Sequence, residues 1–207
     1  MHDALKKLDE TKARKILDIV NPHLDGAAMD IDSTNVLAQE MSFYPGYQFI
    51  ELAQFSSHPP RKIHALVKKA DNDNGPTILD WTNGPIYEVN AKAPVNLTEK
   101  NIRDYVRFFF SHVRGRHGRF IITETVDDIK WQEEPPPAAR KAVAKMIQPV
   151  RIMGMADDGT FQLLVCMMFK DSLFKSRVNV TPGGEVEITD EELIIEDMPV
   201  YDDTLGQ

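Results

Sequence analysis

The stretch EKNIRDYVRFFFSHV, residues 99–113, is the clearest helix in the sequence. Its apolar residues recur at spacings of three and four, which places them on one face of a helix. Thr98 is the predicted N-cap, and Gly115 and Gly118 are expected to terminate the helix. The apolar face consists of Ile102, Tyr105, Val106, Phe109, Phe110 and Val113. A helix with such a face is expected to lie across a sheet.

Strands dominate the carboxyl-terminal side of this helix. After a strand at 120–125 and a proline spacer, residues 138–148 are predicted as a second, shorter helix. Two glycine-containing turn signals, at 156–160 and 181–184, separate apolar stretches and predict hairpins. The predicted strands of this antiparallel meander are 150–155, 161–169, 173–180 and 185–188.

The amino-terminal side mixes helices and strands. A helix is predicted over 3–20 with Asp3 as its cap, followed by a short helix from Ser33 or Thr34 to about Met41. From Tyr47 the apolar period shifts toward two, which is typical of strands. The predicted strands are 47–55, 62–69, 77–81 and 86–90, with a strong turn signal at 71–76.

The order of elements predicts an α+β protein, with amphipathic helices packed on a curved, mainly antiparallel sheet. From residue 98 onward this order is similar to that of the cystatin-like and NTF2-like architecture, although the helix at 138–148 departs from the simple pattern. We expect an N-terminal helical arm over 1–45, a main α+β domain over 46–200 and a frayed acidic tail over 201–207. A similarity of fold does not by itself indicate a function.

Composition and charge exclude several classes of protein. The net charge of −8, from 32 acidic and 24 basic residues, argues against nucleic-acid or membrane binding as the main activity. The sequence has neither a signal-peptide pattern at its start nor an apolar run of the roughly 20 residues that a bilayer span requires. The single cysteine, Cys166, allows no intramolecular disulfide and is expected to be an inert buried thiol. We therefore expect a cytoplasmic protein.

A cluster of basic residues stands out against this acidic background. Residues 100–119 contain six Lys or Arg residues and one acid, Asp104. Guanidinium groups suit bidentate recognition of phosphate or carboxylate, and the glycines around Arg116 suggest a turn whose amides approach an anion. The alternative is that these arginines pair with the protein's own acids. The candidate anion- or partner-binding residues are Arg103, Arg107, Arg114, Arg116, His117 and Arg119.

A pocket between helix and sheet is a second candidate site. Aromatic walls with a few polar groups are typical of small-molecule pockets, but they are equally typical of ordinary cores. The candidate lining residues are Asp80, Trp81, Tyr87, Tyr105, Phe109 and His112.

Motifs of catalysis and metal binding are missing from the sequence. It contains no His-Glu-x-x-His pattern, no nucleophile elbow and no phosphate-binding loop, so we expect neither a metal site nor a cofactor. Strands with two apolar faces, such as 161–169, need cover on both sides, which makes a homodimer a reasonable hypothesis.

Two hypotheses about function remain. The first is a non-catalytic binding module that engages a protein partner or a small anionic ligand through the arginine-rich helix end. The alternative is a small cofactor-free pocket enzyme that uses Tyr, His and Asp for acid–base chemistry, because such sites leave little trace in a sequence. The missing motifs favour the binding module.

Overall fold

A computed structural model describes residues 4–69 and 75–201. Helices and antiparallel sheets are combined in it, so the α+β class is confirmed. The chain forms two compact units, the first from residues 1–80 and 84–96 and the second from 81–83 and 97–207, in each case the described residues. This division differs from the predicted arm over 1–45 and main domain over 46–200, because strands on both sides of residue 45 pair in one sheet.

The first unit contains an antiparallel five-stranded sheet in which the strands follow chain order. The register places Ala38 opposite Ile50, and Ile50 opposite Ala65. Neighbouring strands in this sheet are thus consecutive strands of the chain, the commonest arrangement of sequential strands. Its strands are β1 Lys6–Lys7, β2 Thr34–Glu40, β3 Tyr47–Gln54, β4 Arg61–Lys68 and β5 Thr77–Ile78.

Helix α1, Glu10–Val20, covers the first sheet. Its N-cap is Asp9, whose carboxylate accepts a 3.0 Å hydrogen bond from the Lys12 amide, so the helix begins later than predicted. The predicted cap Asp3 and most of the predicted turn at 71–76 lie outside the described residues. The core of this unit is formed by Ala13, Ile16, Leu17, Val20, Met29, Val36, Ala38, Ile50, Leu52, Ala65 and Val67.

Two secondary-structure predictions in the first unit are wrong. Residues 34–40, predicted as helix, form β2, in which Thr34, Val36 and Ala38 are buried with the period of two that a strand requires. Residues 86–90, predicted as strand, lie in helix α2, Gly84–Lys92. The buried positions of α2 are Ile86, Val89 and Asn90, at helical spacing.

The second unit packs helix α3, Ile102–His112, with a second antiparallel sheet. The predicted apolar face of α3 is buried, except that Val113 lies just beyond its end. The N-cap is Asn101 rather than Thr98, and the Thr98 carbonyl accepts hydrogen bonds from the Asn101 and Ile102 amides. A fully buried hydrogen bond of 2.5 Å, from the Tyr105 hydroxyl to the Gly184 carbonyl, joins α3 to the sheet.

The second sheet has the order β10-β9-β8-β6, with β7 also pairing with β8. Both predicted hairpins are confirmed, and Gly159 and Gly184 have φ values of +84° and +80°, which favour glycine. The sheet is open, so the predicted curvature is not confirmed. Its strands are β6 Ile121–Ile122, β7 Arg151–Met155, β8 Phe161–Phe169, β9 Ser172–Val180 and β10 Val186–Ile195, and helix α4, Pro137–Met146, precedes β7.

The second half of β8 is buried on both faces. Cys166 and Met168 belong to a core cluster with Ile129, while Val165 and Met167, which alternate with them, are fully buried. The chain itself therefore buries these residues, and a second copy is not required to cover them. Of the predicted tail, residues 202–207 lie outside the described residues, and Tyr201 is exposed.

Candidate binding site

Two of the candidate arginines, Arg103 and Arg107, form internal contacts. The Arg107 guanidinium binds the Glu124 carboxylate through two hydrogen bonds of 2.7 and 2.8 Å, and binds Asp104 at 2.7 Å. Hydrogen bonding to Glu124 raises the pKa of Arg107 above its usual value. Arg103 donates to the Val150 carbonyl at 3.2 Å, and Glu124 accepts from the Val150 amide at 2.9 Å. These contacts therefore hold α3 against Glu124 and Val150, which precede strand β7.

Two further arginines, Arg114 and Arg119, lie over one tryptophan. The Arg114 guanidinium carbon is 3.9 Å from the ring centroid of Trp81, and that of Arg119 is 5.9 Å away. The Arg114 amide also donates to the Trp81 carbonyl at 2.8 Å. Guanidinium groups stack favourably on an indole, since its face carries negative charge density. Trp81 thus serves as a platform against which the Arg114 guanidinium lies at cation–π distance.

Arg116 and His117 form the exposed tip of a tight turn. The Gly115 amide donates to the Gly118 carbonyl at 2.8 Å, and the Gly118 amide donates to the Gly115 carbonyl at 3.2 Å. The predicted use of this turn as an anion-binding loop is therefore wrong for the two glycine amides, because each already has an acceptor. What the tip presents to solvent is its two side chains.

A cavity of about 290 Å³ lies beside the end of α3, and we call it the α3-end cavity. Arg114 is the charged residue of its lining, and Thr82 and Asn83 add a hydroxyl and an amide. The remaining side chains of the lining are apolar, so an electrostatic interaction inside it is screened less than at an open surface. Its lining comprises Thr82, Asn83, Phe109, Phe110, Val113, Arg114, Gly115, Phe120, Val186 and Ile188.

A second cavity, of about 220 Å³, shares Phe110 with the first in its lining. Its charges balance, because Arg107 and Arg119 face Glu124 and Asp128. The Asp128 carboxylate already accepts hydrogen bonds of 2.8 and 2.7 Å from the amides of Glu124 and Thr125. An anionic ligand would meet two carboxylates here, so the α3-end cavity is the better anion site.

The predicted pocket residues are divided between the two units. Asp80 and Tyr87 belong to the first unit, whereas Trp81, Tyr105, Phe109 and His112 belong to the second. Of the latter, Phe109 lines the α3-end cavity and Trp81 lies under Arg114.

The polar groups of that prediction are engaged elsewhere. The Tyr105 hydroxyl donates to the Gly184 carbonyl, and His112 Nδ1 is 2.8 Å from the Phe108 carbonyl oxygen. The His112 ring also packs on the Phe108 ring, with 4.6 Å between their centroids. Tyr105 and His112 therefore have structural partners.

Several lining residues were not among the sequence candidates: Thr82, Asn83, Phe110, Val113, Gly115, Phe120, Val186 and Ile188. The Asn83-Gly84-Pro85 signal places Thr82 and Asn83 near a turn but gives no function for them. The strand β10 reaches the site only through the pairing of the meander, which local sequence does not encode.

Residues 4–69 and 75–201 lack two features, a metal-binding cluster and a membrane-spanning helix. In these ranges no group of three or more His, Cys, Asp or Glu residues is arranged to hold a metal ion. No helix there is long and apolar enough to cross a membrane.

Comparisons with known proteins give no relative. No protein-family model, no curated protein and no solved structure matches the chain. The function of the chain is therefore inferred from the geometry of the α3-end cavity.

Proposed function

We propose that the chain is a non-catalytic binding module that takes a small anionic ligand in the α3-end cavity. The observation that carries this proposal is the Arg114 side chain, which lines the cavity and whose guanidinium carbon lies 3.9 Å from the centre of the Trp81 ring. A side chain held against an aromatic ring loses less conformational entropy on binding an anion than a fully mobile one.

The other candidate residues lie elsewhere in the second unit. Arg107 is bound by Glu124 and Asp104, and Arg103 donates to the Val150 carbonyl. Arg116 and His117 are exposed, and an exposed cation on its own contributes little to binding. Among the six predicted residues, Arg114 alone lines the α3-end cavity.

The enzyme alternative has less support. Acid–base catalysis requires groups within hydrogen-bond reach of one substrate, and no Tyr or His belongs to the cavity's lining, all of which lies in the described ranges. Two finer predictions remain proposals: the cystatin-like or NTF2-like arrangement of the second unit, which the packing of α3 on its sheet supports, and a homodimer.

The proposal is tested by calorimetric titration with small anions. Acetate, phenylacetate, inorganic phosphate and phenyl phosphate are added separately to the wild-type protein. At least one should bind saturably, and Arg114→Gln should weaken that binding by roughly 10- to 100-fold, as expected for a charged hydrogen-bonded pair. Arg177→Gln is the matched control, because Arg177 is an exposed residue of β9 outside the lining.

Two results would contradict the proposal: no saturable binding by any of the four anions, or unchanged binding by Arg114→Gln. Circular dichroism establishes that each variant is folded. If Arg114→Gln does not fold, Arg114→Lys replaces it, since a lysine keeps the charge but lacks the planar fork and should still bind more weakly.

A further inference from the structure

The two edges of the second sheet differ in how they are protected. One edge is β10, and a second copy of the chain would meet like charges there, because charged side chains on an edge strand oppose pairing with another chain. The exposed acids of β10 are Glu187, Asp190, Glu191 and Glu192. At the other edge, β6 and β7 pair with different parts of β8, and β6 has only two residues. The longer strand at this edge is therefore β7, which carries no run of like charge.

Strand β7 also exposes apolar side chains. Met153 and Met155 are 52% and 62% exposed. Among the described residues β7 pairs with β8 alone, so the backbone groups on its other side can pair with a further strand. This edge begins at Arg151, because the Val150 amide before it already binds the Glu124 carboxylate.

The charges along β7 and the turn after it are complementary to themselves. Four exposed residues, Arg151, Met153, Met155 and Asp157, alternate with half-buried ones, which is the period of two that places side chains on one face of a strand. The irregular register of β7 against β8 does not interrupt this alternation. Within residues 4–69 and 75–201, neither the Arg151 nor the Asp157 side chain has an ionic partner. A cation thus begins the exposed row, an anion ends it, and two methionines lie between them.

We infer that this edge is the interface of a homodimer, in which β7 pairs antiparallel with β7 of a second copy. A two-fold arrangement makes every contact twice. When Gly154 lies opposite Gly154 of the partner subunit, Arg151 lies opposite the partner's Asp157 and Met153 opposite the partner's Met155. Opposite-charge and apolar cross-strand pairs both stabilise antiparallel strands. The homodimer proposed above thereby receives a surface and a register, and neither depends on the α3-end cavity.

Charge reversal at the two ends of β7 tests this pairing. The dimer dissociation constant is measured by analytical ultracentrifugation over a series of protein concentrations. Arg151→Glu and Asp157→Arg each place like charges opposite one another twice per dimer, and each should raise the dissociation constant roughly 10- to 100-fold. The double variant exchanges the two charges and should restore the association of wild type. Arg177→Glu is the matched control, because it makes the same charge change at an exposed residue of β9.

The outcomes separate the interface from the homodimer and from the anion site. A wild-type protein that stays monomeric throughout the series overturns both the interface and the homodimer. Dimerisation that the single reversals leave unchanged, or that the double variant does not restore, overturns the β7 interface alone. The anion site is tested separately, since no residue of β7 lines the α3-end cavity. Circular dichroism establishes that each variant is folded.

A methionine variant tests the centre of the interface without touching its charged ends. Met155→Lys places a cation opposite the partner's Met153 and should raise the dissociation constant about tenfold. Met146→Lys is the matched control, because Met146 is 46% exposed and belongs to α4. Equal dissociation constants for these two variants would exclude β7 as the interface, even if a charge-reversal variant fails to fold.

Discussion

Each unit of the molecule holds a basic side chain against a glutamate, and the two pairs are buried to a similar degree. In the first unit, His64 on β4 lies opposite Glu51 on β3, with 3.2 Å between Nε2 and Oε2. In the second, Arg107 binds Glu124. The side chains are 19% and 23% exposed in the first pair and 28% and 23% exposed in the second. The two pairs are thus similarly exposed and differ in which basic group faces the glutamate.

The pKa values of the two basic groups move in opposite directions. Burial lowers the pKa of His64 below its ordinary value of 6.5, and this outweighs the opposing attraction of Glu51. Hydrogen bonding to Glu124 instead raises the pKa of Arg107, against the effect of burial. At pH 7 the first pair is thus a neutral imidazole that donates its Nε2–H to a carboxylate, and the second is a true ion pair.

The difference shows which contacts a partly buried charge requires. Arg107 donates hydrogen bonds to both oxygens of Glu124, and one of these oxygens also accepts from the Val150 amide. The attraction of Glu51 for His64 is outweighed by burial, so it does not keep the ring charged. Removing the basic group should therefore cost far more in the second unit.

The largest effect is expected for Arg107→Met. This change leaves Glu124 partly buried without its cation, and we expect a loss of about 2–3 kcal/mol in the free energy of unfolding, slightly below the usual cost for a fully buried pair. Urea unfolding followed by tryptophan fluorescence measures it, since Trp81 and Trp131 both belong to the second unit. The same change at the exposed Arg177 should cost little. A loss below about 1 kcal/mol at Arg107 would show that the network is dispensable.

The Arg107–Glu124 network also marks what the sequence can and cannot predict. The arginine-rich end of α3 is visible in the sequence, and so is the possibility that its arginines pair internally. The identity of the partner is not, because Glu124 is 17 residues away and comes into reach only through the fold between them. Likewise Arg114 could be proposed as an anion-binding residue, but its platform Trp81 depends on long-range packing.

The same reasoning explains which elements were predicted well. The strand 161–169 was predicted with its observed bounds, because a continuous apolar run lies between a strong turn signal and a polar turn. Strand β2 was mistaken for a helix, since its short apolar pattern fits both periods and only pairing with β3 decides between them. Helix α2 was mistaken for a strand for the same reason.

Two buried hydroxyls, one in each unit, should also affect stability. The Thr34 and Ser176 side-chain oxygens are buried and have no hydrogen-bond partner in the described part of the chain. Thr34→Val should therefore raise the free energy of unfolding by about 1 kcal/mol, because an unpaired buried hydroxyl is replaced by a methyl group of the same size. Ser176→Ala should give a smaller gain, since it also leaves a small void.

Differential scanning calorimetry of both variants measures these gains. Thr125→Val is the contrasting variant, because the Thr125 hydroxyl donates to Asp128 at 3.2 Å and its loss should destabilise. If both substitutions raise the free energy of unfolding, the two units differ in their charged pairs and not in their buried hydroxyls. A loss of stability in Thr34→Val would mean that its hydroxyl has a partner in solution.

The same glutamate-to-glutamine change in both pairs compares the two units directly. Glu51→Gln should cost only about 0.5 kcal/mol, because the amide oxygen still accepts from neutral His64. Glu124→Gln should cost about 2 kcal/mol, because the amide places a donor against the donors of Arg107. Hydrogen exchange measured by mass spectrometry follows peptides from each unit separately. Equal losses of protection against hydrogen exchange in the two variants would contradict a neutral His64 beside Glu51.

The smallest expected effect is the pH dependence that His64 contributes to the first unit. Its pKa is lower in the folded state than in the unfolded state, so the unfolded chain binds more protons once the pH falls below about 6.5. The stabilisation from neutral His64 is therefore complete above that pH and is lost progressively as the pH falls toward the folded pKa. In His64→Gln this component should disappear. Lowering the pH from 7.5 to 5.5 should therefore reduce the unfolding free energy of wild type more than that of the variant. Urea titrations at the two pH values, followed through hydrogen exchange of peptides from β3 and β4, measure this change in unfolding free energy. If acidification instead stabilises wild type relative to the variant, His64 is charged in the folded protein.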